Sequence, residues 1–243
     1  MTDHAPVLLT ESADGVLTLI LNRPMARNAL SPELVAALDE ALTRFEGDDL
    51  MRAAVVTGAG RAFCSGLDLK IFAAEDADRS SVSALIHRFG RTTKPLIGAI
   101  NGPAVTGGFE LALGCDFLIG STHAMFADTH ATVGGAFPGG GMTARLGRAI
   151  GVRSAKAMTL AGVRLDADAA LRMGLLTEVV EPDALMARAQ ELAGNMASAN
   201  QDFVKSVRDL YDGNADGSLA QALAAERAAH QRWRHRQPRQ WSV

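Results

Sequence analysis

The chain has only two cysteines in 243 residues, Cys64 and Cys115, and no CxxC pair. Thiols so few and so far apart exclude a disulfide-stapled scaffold and a zinc knuckle. They fit a reducing, cytoplasmic setting in which both are core or wall residues. Long apolar runs are also missing. The longest, such as VLTLIL, have the length of a strand, so no segment reads as membrane-spanning. The opening MTDHAPVLLTES lacks the basic-then-apolar layout of a secretory leader. No charge of one sign dominates: the net formal charge is −3, which gives no general attraction to nucleic acid or to a membrane. The end of the chain is the exception. After Glu226 there is no acid, while Arg227, Arg232, Arg234, Arg236 and Arg239 cluster there. They read as a solvated tail, or as a contact with an anionic ligand or a neighbouring subunit.

Nearly half of the residues are apolar, enough for a sizeable core in one large domain with or without a helical extension. Short β-rich runs recur at 16–22, 53–58, 95–102 and 116–121, the first reading as a continuous buried strand. Between the first two lies SPELVAALDEALTRFEGD. Ser31 followed by Pro32 predicts a helix start, and Leu34, Leu38 and Leu42 fall on one stripe. The alternation predicts stacked strand–helix units in a core spanning 1–181. From 182 to 243 the pattern is helical only, and its alanine-rich helices suit packing against other subunits or over their own core.

Two glycine-bearing turns stand out. In TGAGRAFCSGLDLK (57–70) a strand runs into Gly58, Gly60 and Gly66, where glycine permits positive φ and close approach to the backbone. The segment lacks the ordered glycines of a dinucleotide fingerprint and is not a GxxxxGK[ST] phosphate loop. In NGPAVTGGFELALGCD (101–116) a helix begins at a glycine pair and carries Glu110 in its first turn. Such a start exposes unpaired N–H groups. Glu110 there reads either as a partner of the helix terminus or as a functional carboxylate beside two amide-lined turns.

In order and spacing, the segments LNRPMARNALS, RAFCSGLDLK, KPLIGAINGPAVTGGFELALGCD, FADTHATVGG, PGGGMTARLGRAIG and AGVRLDADAALRMGLLTEVV resemble the crotonase (enoyl-CoA hydratase/isomerase) superfamily over most of the chain. The resemblance implies an α/β fold, a crotonase-type spiral of repeated ββα units with a C-terminal helical trimerisation region. It implies an acyl-CoA thioester substrate in fatty-acid or related metabolism, with no metal and no separate cofactor, coenzyme A being part of the substrate. It also implies a homotrimer or a hexamer of paired trimers. By position, the backbone N–H groups of Leu67 and Gly107 would form an oxyanion hole. Ala26 and Arg27 would lie near the CoA phosphates. Ser65, Gly66, Asp68, Leu69 and Lys70 would line the adenine and ribose region.

Family hydratases use two glutamates. Here the first is Glu110, and the second position falls on His130. Three readings of His130 stay open: a general acid/base in place of the glutamate, a polar wall residue, or a structural histidine satisfied by a carbonyl or by Asp128. The loop GGAFPGGG (134–141) is a residue longer than usual, and the tail RHRQPRQWSV departs from the family's ending. The expected function is enoyl-CoA hydration or its reverse. A non-catalytic acyl-CoA-binding protein, or isomerase, decarboxylase or hydrolase chemistry on the same scaffold, are the alternatives.

Overall fold

The structure, a computed structural model, describes residues 5–72, 79–132, 137–214 and 217–236, with side chains described as far as Trp233. Part of the loop read at 134–141, part of the segment after Lys70, and Arg239 of the basic cluster thus lie outside the described residues, as do the side chains of Arg234 and Arg236. The chain divides into two compact units, Met1–Ser198 and Ala199–Val243.

The strands are β1 (Leu8–Ala13), β2 (Val16–Leu21), β3 (Ala53–Gly58), β4 (Leu96–Ile100), β5 (Pro103–Val105), β6 (Phe117–Ser121), β7 (Met125–Ala127), β8 (Leu165–Asp166) and β9 (Glu178–Val180). The first unit also holds helices α1 (Pro32–Gly47), α2 (Leu69–Phe72), α3 (Ser80–Phe89), α4 (Gly107–Ala112), α5 (Met142–Ile150), α6 (Val152–Ala161), α7 (Ala167–Arg172) and α8 (Leu185–Ser198). The second unit contains α9 (Gln201–Asn214) and α10 (Leu219–Arg236).

Six strands form one sheet in the order β1-β2-β3-β4-β6-β9. The β1–β2 pair is antiparallel and the remaining pairs are parallel. β1 was not anticipated from the sequence. It turns back through Asp14-Gly15, both at positive φ, the backbone a tight hairpin requires. The central strands are buried throughout, as parallel strands covered on both faces must be. Alternate residues split cleanly between the two faces. Ala54, Val56, Leu96 and Ile100 pack with Leu34, Leu38, Leu42 and Phe45 of α1. Ala53, Val55, Ile97 and Ala99 pack with Leu185, Ala189, Ala193 and Ala197 of α8.

That second face explains the place of α8. Its i,i+4 alanine stripe lets the helix lie close on the sheet and seal it. The sequence reading grouped this helix with the C-terminal piece at 182–243, whereas compact packing keeps it with the first unit. The start of α1 is as expected: Ser31 Oγ accepts the Leu34 N–H at 3.3 Å and Pro32 occupies the first turn. Within the second unit, Phe203 of α9 meets Trp233 of α10 edge-on, with ring centroids 5.8 Å apart.

A second, small sheet runs β5-β7-β8. Its strands are two or three residues long, too short to leave a periodic signal. It nevertheless positions the site, because β5 delivers Gly107 and Glu110 while the parallel β7 delivers His130. No helix among the described residues is long and apolar enough to cross a membrane.

Candidate active site

The two glycine turns meet. Leu30 N–H donates to the Gly66 carbonyl at 2.8 Å, and the Leu30 carbonyl accepts the Asp68 N–H at 3.0 Å. Leu67, between them, is thereby gripped through its neighbours, and its own N–H faces away from Leu30. On the other side Val105 N–H donates to the Cys64 carbonyl at 2.9 Å and draws β5 alongside. Gly66 has φ +89°, and a Cβ built on it would sit 2.9 Å from the Val105 oxygen and 3.3 Å from the Gly107 nitrogen. Only glycine suits both the angle and the gap. Among the described residues neither the Leu67 N–H nor the Gly107 N–H has an acceptor. Two adjacent open donors in a largely buried setting are the arrangement that receives a carbonyl oxygen. Gly66→Ala is expected to lower the thermal midpoint by roughly 2–10 °C, because strain of about 1–3 kcal/mol acts on a unit of this size. A melt matching the parent would show that the turn relaxes freely.

Glu110 sits one turn into α4 and is 3% exposed. Its Oε1 accepts two backbone donors, Gly140 N–H at 2.9 Å and Met142 N–H at 3.0 Å. Its Oε2 has no partner among the described residues. The loop carrying Gly140 is strapped to α3. Ser83 Oγ donates to the Gly139 carbonyl at 2.6 Å, and His87 Nε2 lies 3.0 Å from the same oxygen. One carboxylate oxygen is therefore fixed and the other left free. Neither Gly140 nor Met142 was picked out in the sequence, since both lie some thirty residues from Glu110.

His130 is 8% exposed and does not stand alone. Its Nδ1 lies 2.6 Å from Asp128 Oδ1, which also accepts the His130 N–H at 3.1 Å. Asp128 Oδ2 accepts the Thr159 hydroxyl at 2.6 Å, from α6. Burial pulls the His130 pKa down, but the bond to Asp128, the Asp128 charge and the nearby Glu110 charge outweigh it. The net value lies above the ordinary 6.5. For Asp128, burial acts upward, while the bonds from His130 and Thr159 prevail and hold the carboxyl below its usual range. Both directions favour a carboxylate–imidazolium pair. With Nδ1 committed to Asp128, Nε2 has no partner among the described residues.

The residues assigned by resemblance to coenzyme A divide into two groups. Ser65 Oγ donates to the Ala26 carbonyl at 3.3 Å, and Ser65 N–H to the Arg27 carbonyl at 3.0 Å, which brings those three together. Arg27 and Ser65 line a cavity of about 660 Å³ with Arg61, Thr129 and Arg164, and among the described residues no carboxylate lines it. Arg61 and Arg164 were not singled out from the sequence; nothing in their spacing marks them. Asp68 instead turns inward. It pairs with Arg23 at 2.8 Å and accepts the Lys70 N–H at 3.2 Å, which braces the turn. Leu69 and Lys70 are exposed at the start of α2. Among the described residues no cluster of histidine, cysteine or acidic side chains could hold a metal ion.

Two open amides, a carboxylate with one free oxygen and an imidazole poised by an aspartate can polarise a carbonyl and move protons beside it. The Enoyl-CoA hydratase/isomerase family profile matches residues 11–243. The chain is 34% identical to probable enoyl-CoA hydratase 1, peroxisomal, of Arabidopsis thaliana, across 91% of this chain and 84% of that protein. It is 42% identical to (E)-benzylidenesuccinyl-CoA hydratase of Thauera aromatica, across 80% and 77%. The crystal structure of enoyl-CoA hydratase from Bacillus anthracis superposes with a TM-score of 0.87 at 33% identity, covering 93% of this chain and 90% of that one. The α/β fold is that of the crotonases, and the chain belongs to the enoyl-CoA hydratase/isomerase family.

Proposed function

We propose that the protein is an enoyl-CoA hydratase that adds water to a 2-enoyl-CoA, or removes it in reverse, with Glu110 and the Asp128-held His130 as its proton-transfer pair. The observation that carries this reading is the free Oε2 of Glu110 and the free Nε2 of His130 beside two open amides. The thioester oxygen accepts the Leu67 and Gly107 N–H groups. Glu110 takes a proton from water as the water oxygen bonds to the β-carbon. The π electrons move onto the thioester oxygen, giving an enolate held by the two amides. The His130 imidazolium then delivers its Nε2 proton to the α-carbon, and solvent exchange resets both groups. The raised pKa of His130 supports the donor role over that of a neutral base. The reaction needs no cofactor beyond the coenzyme A that the substrate carries.

The basic cavity of Arg27, Arg61 and Arg164 suits the CoA phosphates. Homotrimers or paired trimers belong to the same proposal, supported by exposed Phe203, Tyr211, Leu219 and Leu223 on α9 and α10. So does a cytoplasmic setting in fatty-acid or related metabolism, which the free thiols suit. Sedimentation tests the assembly. For the reaction, loss of the conjugated thioester absorbance with crotonyl-CoA, and a product heavier by one water, are expected. Tight acyl-CoA binding without turnover across a thioester panel would instead mark a carrier, and products of another mass a different enolate chemistry.

A further inference from the structure

Thr106 occupies a backbone position that suits glycine. Its φ of 50° and ψ of −111° lie in the mirror-image region that L-residues avoid, and a β-branched side chain crowds it further. It is the residue before Gly107, the second open donor. Three bonds hold it there. Its N–H donates to the Ala127 carbonyl at 2.9 Å, its hydroxyl meets the Thr129 hydroxyl at 2.5 Å, and its Oγ1 accepts the Thr129 N–H at 3.1 Å. Its carbonyl accepts the Glu110 N–H at 2.8 Å. In a trans peptide the N–H points opposite to the C=O, so that bond turns the Gly107 N–H away from α4. Thr129 is the residue before His130, so one hydroxyl contact joins the two strands that deliver the amide and the imidazole.

We propose that the Thr106–Thr129 hydroxyl pair is a positioning clamp. It keeps the Gly107 N–H aimed with the Leu67 N–H at the thioester oxygen and fixes that donor relative to His130. The inference rests on the oxyanion reading above. Strain of this kind persists only where the surroundings over-determine it, and the clamp does so here together with the two N–H bonds. The role is one of positioning: neither hydroxyl is assigned a contact with reacting atoms.

Thr129→Val keeps the shape and removes the hydroxyl; Thr129→Ser keeps the hydroxyl. The valine variant is expected to lose kcat by roughly 10–30-fold, short of the ~10²–10³-fold cost of deleting an oxyanion donor. Thr129 also lines the cavity assigned to the CoA phosphates, so the loss is read in kcat at saturating crotonyl-CoA and not in KM, and the serine variant should recover most of that kcat. Isotope-edited infrared spectra of bound butyryl-CoA, which is saturated and does not react, give a second readout. The thioester carbonyl band should move to lower frequency in the parent and in Thr129→Ser, and lose most of that displacement in Thr129→Val. This readout needs no turnover, so it tests the clamp even if the parent fails to hydrate crotonyl-CoA. A valine variant with the parent's kcat and carbonyl band overturns the clamp. So does one whose kcat falls only with its melting temperature while the band stays put. A parent that binds butyryl-CoA with no band displacement removes the oxyanion reading, and the clamp with it.

Discussion

Glu110→Gln is expected to lower kcat for hydration by roughly 10²–10⁴-fold, about 3–5.5 kcal/mol of barrier, while the fold persists. The side-chain oxygen of glutamine can still accept the Gly140 and Met142 N–H groups that now hold Oε1, so both buried bonds persist. What is lost is the carboxylate oxygen to which the proposed mechanism assigns the water's proton. The expectation is checked by turnover with crotonyl-CoA next to a melt of the same sample. Parent-like turnover would remove Glu110 from the chemistry. A collapsed melt in Glu110→Gln would assign the carboxylate to the architecture instead.

His130→Gln is expected to cost a similar ~10²–10⁴-fold, and its diagnostic lies in pH dependence. The His130 pKa is above 6.5 because Asp128 and the Glu110 charge overcome the effect of burial. A group raised in this way stays protonated to higher pH than an ordinary imidazole. Hydration that uses it as donor is therefore full at lower pH and lost as pH rises through the raised value. The linked contribution to stability follows the same sign: it is present below the unfolded value of 6.5 and disappears as pH rises through the folded one. Asp128→Asn removes the charge that lifts the imidazole, so the alkaline limb should move toward acid. His130→Gln should have no limb in that range.

Much of the frame was legible in the chain because its signals are local. Ser31-Pro32, the Leu34–Leu38–Leu42 stripe and the buried runs of β2, β3, β4 and β6 need no distant partner to be recognised. The two glycine turns and Glu110 were legible for the same reason. What escaped depends on contacts between residues far apart in sequence. Thr159 reaches Asp128 across 31 residues, and Gly140 reaches Glu110 across 30. The sequence left His130 open between proton transfer, wall and scaffold; its bond to Asp128 is compatible with scaffold and with chemistry alike, because a held imidazole is also an oriented one. The short sheet β5-β7-β8 was missed because two- and three-residue strands carry no period, yet its parallel strands β5 and β7 lead into the segments that hold Glu110 and His130. Likewise α8 reads as one more alanine-rich helix until its stripe is seen on the sheet.

The most direct test of a protonated His130 facing Glu110 is the pH profile of kcat/KM for crotonyl-CoA hydration in the parent, Asp128→Asn and His130→Gln. The parent should show an alkaline limb with an apparent pKa above 6.5, displaced to lower pH in Asp128→Asn and absent in His130→Gln. The same alkaline limb in all three proteins would contradict the assignment.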